Sequence, residues 1–229
     1  MPRRQLYTEL RQSADPSYRD FASRLIPGET RMLGVRLPLL RTIARRYARR
    51  NWRELLNTPA APNASFEELL LRAMLPAYAA DTTLPERLRY LQLEQPNLNN
   101  WSLCDSACAT CHFVKQHREE VAPWLETFLN SAEEFTARFG VVMLNNYYTR
   151  ETAWTDWVMN ILPTIKAQGY YADMAVAWCA CTLLCRHPER AETMLSPSYL
   201  SPALHKLMCK KLRESRIRIH ISPPNLPDK

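Results

Sequence analysis

Glycine is scarce in this chain: 4 residues in 229, beside 17 prolines, where average usage near ~7% would give roughly 16 glycines. Gly28, Gly34, Gly140 and Gly169 are too scattered to build a GxGxxG turn or a Walker-type phosphate cradle. Rossmann dinucleotide binding and P-loop nucleotide hydrolysis therefore have no sequence support. Asn-Gly and Asp-Gly dipeptides are missing too. With few alternating β-branched runs, a hairpin-rich sandwich or barrel is excluded as the expected fold. Long apolar runs are also lacking. The longest nearly uncharged stretch, Met174 to Cys185, has 12 residues, short of the ~20 that span a bilayer. MPRRQLYTEL carries basic residues without the apolar stretch of a signal peptide, which predicts a cytoplasmic protein.

Seven cysteines, an odd number, in a chain with no export signal are expected to be reduced thiols. Cys108-Ala109-Thr110-Cys111-His112 matches the C-x-x-C-H haem signature. However, Cys104, Cys108 and Cys111 stand at i, i+4, i+7, and Cys181 and Cys185 repeat the i, i+4 relation. Such stripes fit small buried thiols between helices. His112, His117, His187, His205 and His220 fall into no zinc-ligand spacing, so no metal site is expected.

What the chain has in quantity is arginine. Of its 30 basic residues 24 are arginine, and the formal charge is +7. In LPLLRTIARRYARRNWR, Leu37, Leu40, Ala44 and Tyr47 make one helical stripe, while Arg41, Arg45, Arg46, Arg49 and Arg50 fall mainly elsewhere. No acid occurs between Glu29 and Glu54. A solvated face usually balances its signs at i, i+4, so this cluster suits phosphate contact as well as it suits a charged surface. Lys206, Lys210, Lys211, Arg213, Arg216 and Arg218 form a second basic cluster.

Apolar periodicity predicts helices at 3–12, 17–25, 37–50, 65–79, 84–93, 101–115, 117–129, 132–148, 152–166, 171–186, 188–194 and 200–215. Breaks fall at Pro27-Gly28, Pro59 to Asn63, Pro85, Gln95-Pro96-Asn97, Gln168-Gly169 and Ser196-Pro197. Short-linked pairs of roughly 35–45 residues predict an all-α superhelix, an αα-solenoid of stacked helical repeats. One domain is expected over 1–215, with a basic tail at 216–229. Within that tail Ile217, Ile219 and Ile221 alternate like a strand with no evident partner.

Asn99-Asn100-Trp101-Ser102-Leu103-Cys104-Asp105 places an aromatic ring and a carboxylate at i, i+4, on one helical surface. Arg138 lies among Phe135, Phe139 and Val142, and Trp178 lies in AVAWCACTLL. Two readings of these residues are open. Trp101 and Trp178 are core aromatics and Asp105 and Arg138 a structural ion pair, or the four form a site.

The motifs LGVRLPLLR (33–41), NWSLCD (100–105), FTARF (135–139) and MAVAW (174–178), in this order and over about residues 15–215, resemble the AlkD-type family of DNA alkylation repair glycosylases. The resemblance implies a superhelix of HEAT-like helical pairs whose basic concave surface holds duplex DNA. It implies excision of N3- and N7-alkylated purines without flipping the base; no cofactor is expected, and a solenoid that binds one duplex is expected to act as a monomer. Trp101 and Trp178 would match two aromatic walls against the deoxyribose, Asp105 the catalytic carboxylate, and Arg138 the residue holding the neighbouring phosphate. Arg36, Arg41, Arg45, Arg46, Arg49, Lys210, Lys211 and Arg213 are the candidate DNA contacts. Two positions depart from the pattern. Cys181 stands where active members carry a DNA-contacting arginine, and Pro27-Gly28 interrupts the segment that supplies an N-terminal helix to the lesion strand. Three functions follow as alternatives: glycosylase, non-catalytic binder of distorted or branched DNA, and protein-interaction scaffold.

Overall fold

A computed structural model of the chain describes residues 2–26, 28–29, 31–50, 52–166 and 169–215. The protein is all-α, with helices α1 (Pro2–Gln12), α2 (Pro16–Ser23), α3 (Leu37–Ala48), α4 (Trp52–Leu56), α5 (Phe66–Tyr78), α6 (Leu84–Glu94), α7 (Trp101–Cys108), α8 (Arg118–Leu129), α9 (Glu134–Tyr147), α10 (Thr155–Ile161), α11 (Tyr170–Arg186), α12 (Ala191–Met194) and α13 (Pro202–Glu214). No strand occurs among the described residues.

Several of the prolines open helices. Pro16, Pro38, Pro85 and Pro202 occupy the first positions of α2, α3, α6 and α13, where the missing N–H has no intrahelical partner to lose. Pro85 thus opens a helix and does not separate two. Asp15, Ser65, Thr83, Asn100 and Ser201 cap α2, α5, α6, α7 and α13 through side-chain oxygens, satisfying donors that the first turn leaves open.

Periodicity located nearly all the long helices, with three corrections. The helix expected over 101–115 ends at Cys108 and resumes as a 3-10 turn at His112–Gln116; at the break the Thr110 hydroxyl donates to the Ala107 carbonyl at 2.7 Å. The segment expected at 152–166 is α10 flanked by two 3-10 turns, Thr152–Trp154 and Leu162–Thr164. Helix α4, only 5 residues long, was not expected. Pro27, Gln168 and the tail at 216–229, with its isoleucine alternation and Arg216 and Arg218, lie outside the described residues.

The chain forms two compact units, Met1–Phe113 and Val114–Lys229. In the first, α3 packs on α5 and α5 on α7; in the second, α9 packs on α11 and α11 on α13. Packing between every second helix is how helical pairs stack when no pair can bury its apolar face alone. In the first unit α6 flanks α5, and in the second α8 flanks α9. Every candidate site residue sits on, or at the end of, a helix of these rows.

The centre of the first unit is α5, whose residues from Phe66 to Pro76 are all buried. Its charged members are paired. Arg72 makes a two-point contact with Glu94 at 2.6 and 2.9 Å and also donates to the Leu55 and Thr58 carbonyls. Glu67, 1% exposed, points at the LGV motif. Its Oε1 accepts the backbone N–H groups of Leu33, Gly34 and Val35 at 3.0, 2.7 and 3.2 Å, and Oε2 accepts Leu33 at 2.9 Å. Only glycine serves at position 34. Its φ is +96°, and a Cβ would meet the Asp15 carbonyl oxygen at 2.3 Å. Glu67→Ala would leave three donors without their acceptor, each costing about 1–3 kcal/mol. Urea denaturation is expected to show a loss of about 3 kcal/mol or more for Glu67→Ala and a clearly smaller loss for Glu67→Gln, which keeps an acceptor oxygen.

Candidate nucleic-acid interface

Helix α7 begins where the Asn100 Oδ1 accepts the Leu103 N–H at 3.0 Å. Its inward face is Leu103, Cys104, Ala107 and Cys108, all buried, while Trp101, Ser102, Asp105 and Ser106 are partly exposed. Trp101 and Asp105 therefore share an accessible surface one turn apart, as the spacing predicted. Two contacts fix the start of this helix to the segment after α2. The Trp101 indole N–H donates to the Leu25 carbonyl at 3.2 Å, and the Asn100 amide donates to Glu29 at 3.4 Å. A cavity of about 60 Å³ is lined by Tyr18, Ala22 and Ile26 together with Ser102 and Ser106 of α7.

In the second unit the candidates are Arg138 on α9 and Trp178 on α11. Trp178 is 39% exposed, which removes the reading of this indole as a core aromatic. Arg138 is buried, and its Nη1 donates to the Tyr171 carbonyl at 2.7 Å. Helix α11 starts at Gly169, which has no side chain to cap it. The cap comes from the neighbouring helix: Glu134 Oε1 accepts the Tyr171 N–H at 2.6 Å. The carboxylate also suits the positive end of the α11 dipole. Gly169, at φ +131°, leaves room for this carboxylate; a Cβ there would meet its atoms at 2.4 Å. Phe135 and Tyr171 pack with ring centroids 5.4 Å apart. Glu134 and Arg138, one turn apart on α9, thus hold the two polar groups of one Tyr171 backbone unit. Glu134 was missed in the sequence, where the signal was a helix preceded by glycine in place of Ser, Thr, Asp or Asn. Burial and the nearby Glu134 raise the Asp173 carboxyl above its ordinary range.

Cys181, one turn beyond Trp178, is buried, and burial first and Cys185 second push its thiol up to about 12. All seven cysteines are thiols. Among the described residues no group of three His, Cys, Asp or Glu side chains is placed to hold a metal ion.

The basic candidates divide into two kinds. Arg36 lies against Asp15 at 2.8 Å, with its guanidinium over the Tyr18 ring. Arg46 is paired with Glu9. The acids absent from α3 in sequence thus arrive from α1 and the turn after it, correcting the expectation of a wholly unbalanced cluster. Arg41, Arg45 and Arg49 are different. They recur at i, i+4, i+8 along α3 and its C-cap and have no acidic partner among the described residues; the Nε of Arg41 is buried without a hydrogen bond, and Arg45 lies over Tyr78 at 4.8 Å. On α13, Glu214 holds Lys211 at 2.8 Å and Lys210 at 4.0 Å, and Arg213 is exposed.

These features define an all-α helical-repeat protein in which aromatic, acidic and basic side chains sit on the stacked helix row of each unit, with the arginines that lack an acidic partner on the α3 segment of the first. The family model described as DNA alkylation repair enzyme matches residues 6–196, and the chain belongs to that family. No curated protein and no solved structure matches it. DNA alkylation repair is accordingly its field of action, and DNA its partner. No helix among the described residues is long and apolar enough to cross a membrane.

Each phosphate neutralised on duplex DNA contributes roughly 0.9 to the slope of log K against log salt. Alanine at Arg41, Arg45 or Arg49 is expected to lower that slope by about one unit each. Alanine at Arg36 or Arg46, whose charges are already met by Asp15 and Glu9, is expected to change it by less than half as much. Fluorescence anisotropy with a labelled duplex over a salt series measures both.

Proposed function

We propose that the protein is a monofunctional DNA glycosylase that hydrolyses the N-glycosidic bond of cationic N3- or N7-alkylated purines in duplex DNA without flipping the base. The observation that carries this reading is the pairing of Trp101 and Asp105 on the accessible face of α7. An indole and a carboxylate there match what the reaction needs.

An N3- or N7-alkylated purine is already positively charged, so it departs as a neutral base when the C1′–N bond breaks, without prior protonation. The bond electrons leave with the base and positive charge moves to the sugar. Asp105 stabilises that charge through space and accepts the proton of the water that adds to C1′. The π face of Trp101 favours the same developing cation, and the exposed indole of Trp178 offers a sugar cation the same chemistry. Arg138 is the proposed phosphate contact of the second unit, with its guanidinium set by the Tyr171 carbonyl. The stripe Arg41, Arg45 and Arg49 supplies charge along the strand.

The test is abasic-site formation in duplex DNA containing a single N7-methylguanine. Wild-type protein is expected to release the base, and Asp105→Asn to do so roughly 100-fold or more slowly, the range for loss of a general base. Trp101→Ala and Trp178→Ala are expected to lose less, since a cation–π contact contributes about 0.5–2 kcal/mol. Absence of release by wild type would overturn the excision reading and leave a DNA-binding surface without chemistry, the reading that the buried Cys181 favours. Undiminished release by Asp105→Asn would remove that residue from the catalytic role.

A further inference from the structure

The turn of chain that touches Trp101 carries an apolar surface that the chemistry above does not use. Helix α2 faces inward through Ala22, with Ile26 buried just beyond its end. Its adjoining face presents Phe21, 60% exposed, and the following turn presents Leu25, 51% exposed. Among the described residues Tyr18 makes the ring contact of Phe21, at 6.5 Å between centroids. Leu25 is also the residue whose carbonyl receives the Trp101 indole N–H. The exposed pair therefore lies on the segment that Trp101, at the start of α7, holds in place. Between Phe21 and Leu25 stands Arg24, exposed and without an acidic partner among the described residues, whereas nearby Arg19 is matched by Asp20 and Arg36 by Asp15.

An exposed aromatic with an unneutralised arginine one turn along has the chemistry of a nucleotide. A base has an apolar π face that stacks on an aromatic ring, and its phosphate suits a guanidinium. A protein partner would use the apolar pair but would have to bring an acid for Arg24; DNA, the family's substrate, brings both groups in every residue. We propose that Phe21 and Arg24 form a docking point for a single unstacked nucleotide of a DNA strand, its base on the Phe21 ring and its phosphate at Arg24, with Leu25 covering the edge. The inference rests on the α7 surface facing DNA. It extends that reading by giving the protein a preference for DNA in which one nucleotide has already left the stack.

The experiment compares binding to an intact duplex and to the same duplex with a one-nucleotide bulge, by anisotropy at fixed salt, in an Asp105→Asn background. The bulged DNA is expected to bind more tightly. Phe21→Ala should weaken bulge binding by roughly five-fold or more, the lower end of the range for one base–aromatic stack, and leave intact duplex nearly unchanged. Phe21→Trp should retain the preference. Arg24→Ala should weaken both and lower the salt slope by about one. Phe21 is exposed, so its replacement is expected to leave the thermal unfolding midpoint in place. Equal binding of the two DNAs by the parent protein, or an equal loss on both with Phe21→Ala, overturns the docking point. So does a concentration-dependent dimer in sedimentation that Phe21→Ala abolishes, which would make the patch a contact between copies. Excision is read separately with wild-type protein: a Phe21-dependent bulge preference without base release sinks the glycosylase reading alone, and release without that preference sinks the docking point alone.

Discussion

A single buried carboxylate holds the first unit in register. Glu67 gathers the amides of Leu33, Gly34 and Val35, and in doing so fixes how the chain enters α3. The Gly34 carbonyl in turn receives the Asp15 N–H, and Asp15 caps α2 while binding Arg36. The Tyr18 amide first, and Arg36 second, hold the Asp15 carboxyl below the usual carboxylate range. One side chain on α5 thus sets the approach of α2 and the start of α3. The contact of Leu25 with Trp101 then transmits that placement to α7. Loss of Glu67 would therefore act on the site through geometry, without touching any atom that meets DNA.

The second unit uses a related device at the other candidate residues. Glu134 replaces the absent cap of α11, and its neighbour Arg138 takes the carbonyl of the same residue. In both places a glycine with positive φ makes room for the carboxylate or the adjoining chain. Two of the four glycines whose scarcity excluded nucleotide folds prove to be positions where no other residue fits.

Much of the fold was legible because apolar periodicity and proline placement are local signals. The helix starts at Pro16, Pro38, Pro85 and Pro202 could be read from a few adjacent residues. Trp101 and Asp105 share a face because i, i+4 geometry guarantees it within any helix. What escaped the sequence was long-range. Glu67 and Glu134 look like ordinary charged residues in a first helical turn, and only chain 32 to 37 positions away gives them their partners. The same limit applied to α3: whether an arginine is neutralised depends on Glu9 and Asp15, which no window around residues 37–53 contains.

The buried thiols have a chemical consequence for a protein in this family. Agents that alkylate purines also attack sulfur, and they attack the thiolate far faster than the thiol. Burial holds Cys111 near 12 and Cys181 near 12, and pushes Cys108 and Cys179 well up. Six of the seven cysteines are closed off from solvent, and the half-buried Cys185 lies against Ser215. The helix interfaces therefore keep a large store of sulfur in its unreactive form, so that the packing which builds the repeat also shields the protein from the electrophiles whose damage its family repairs.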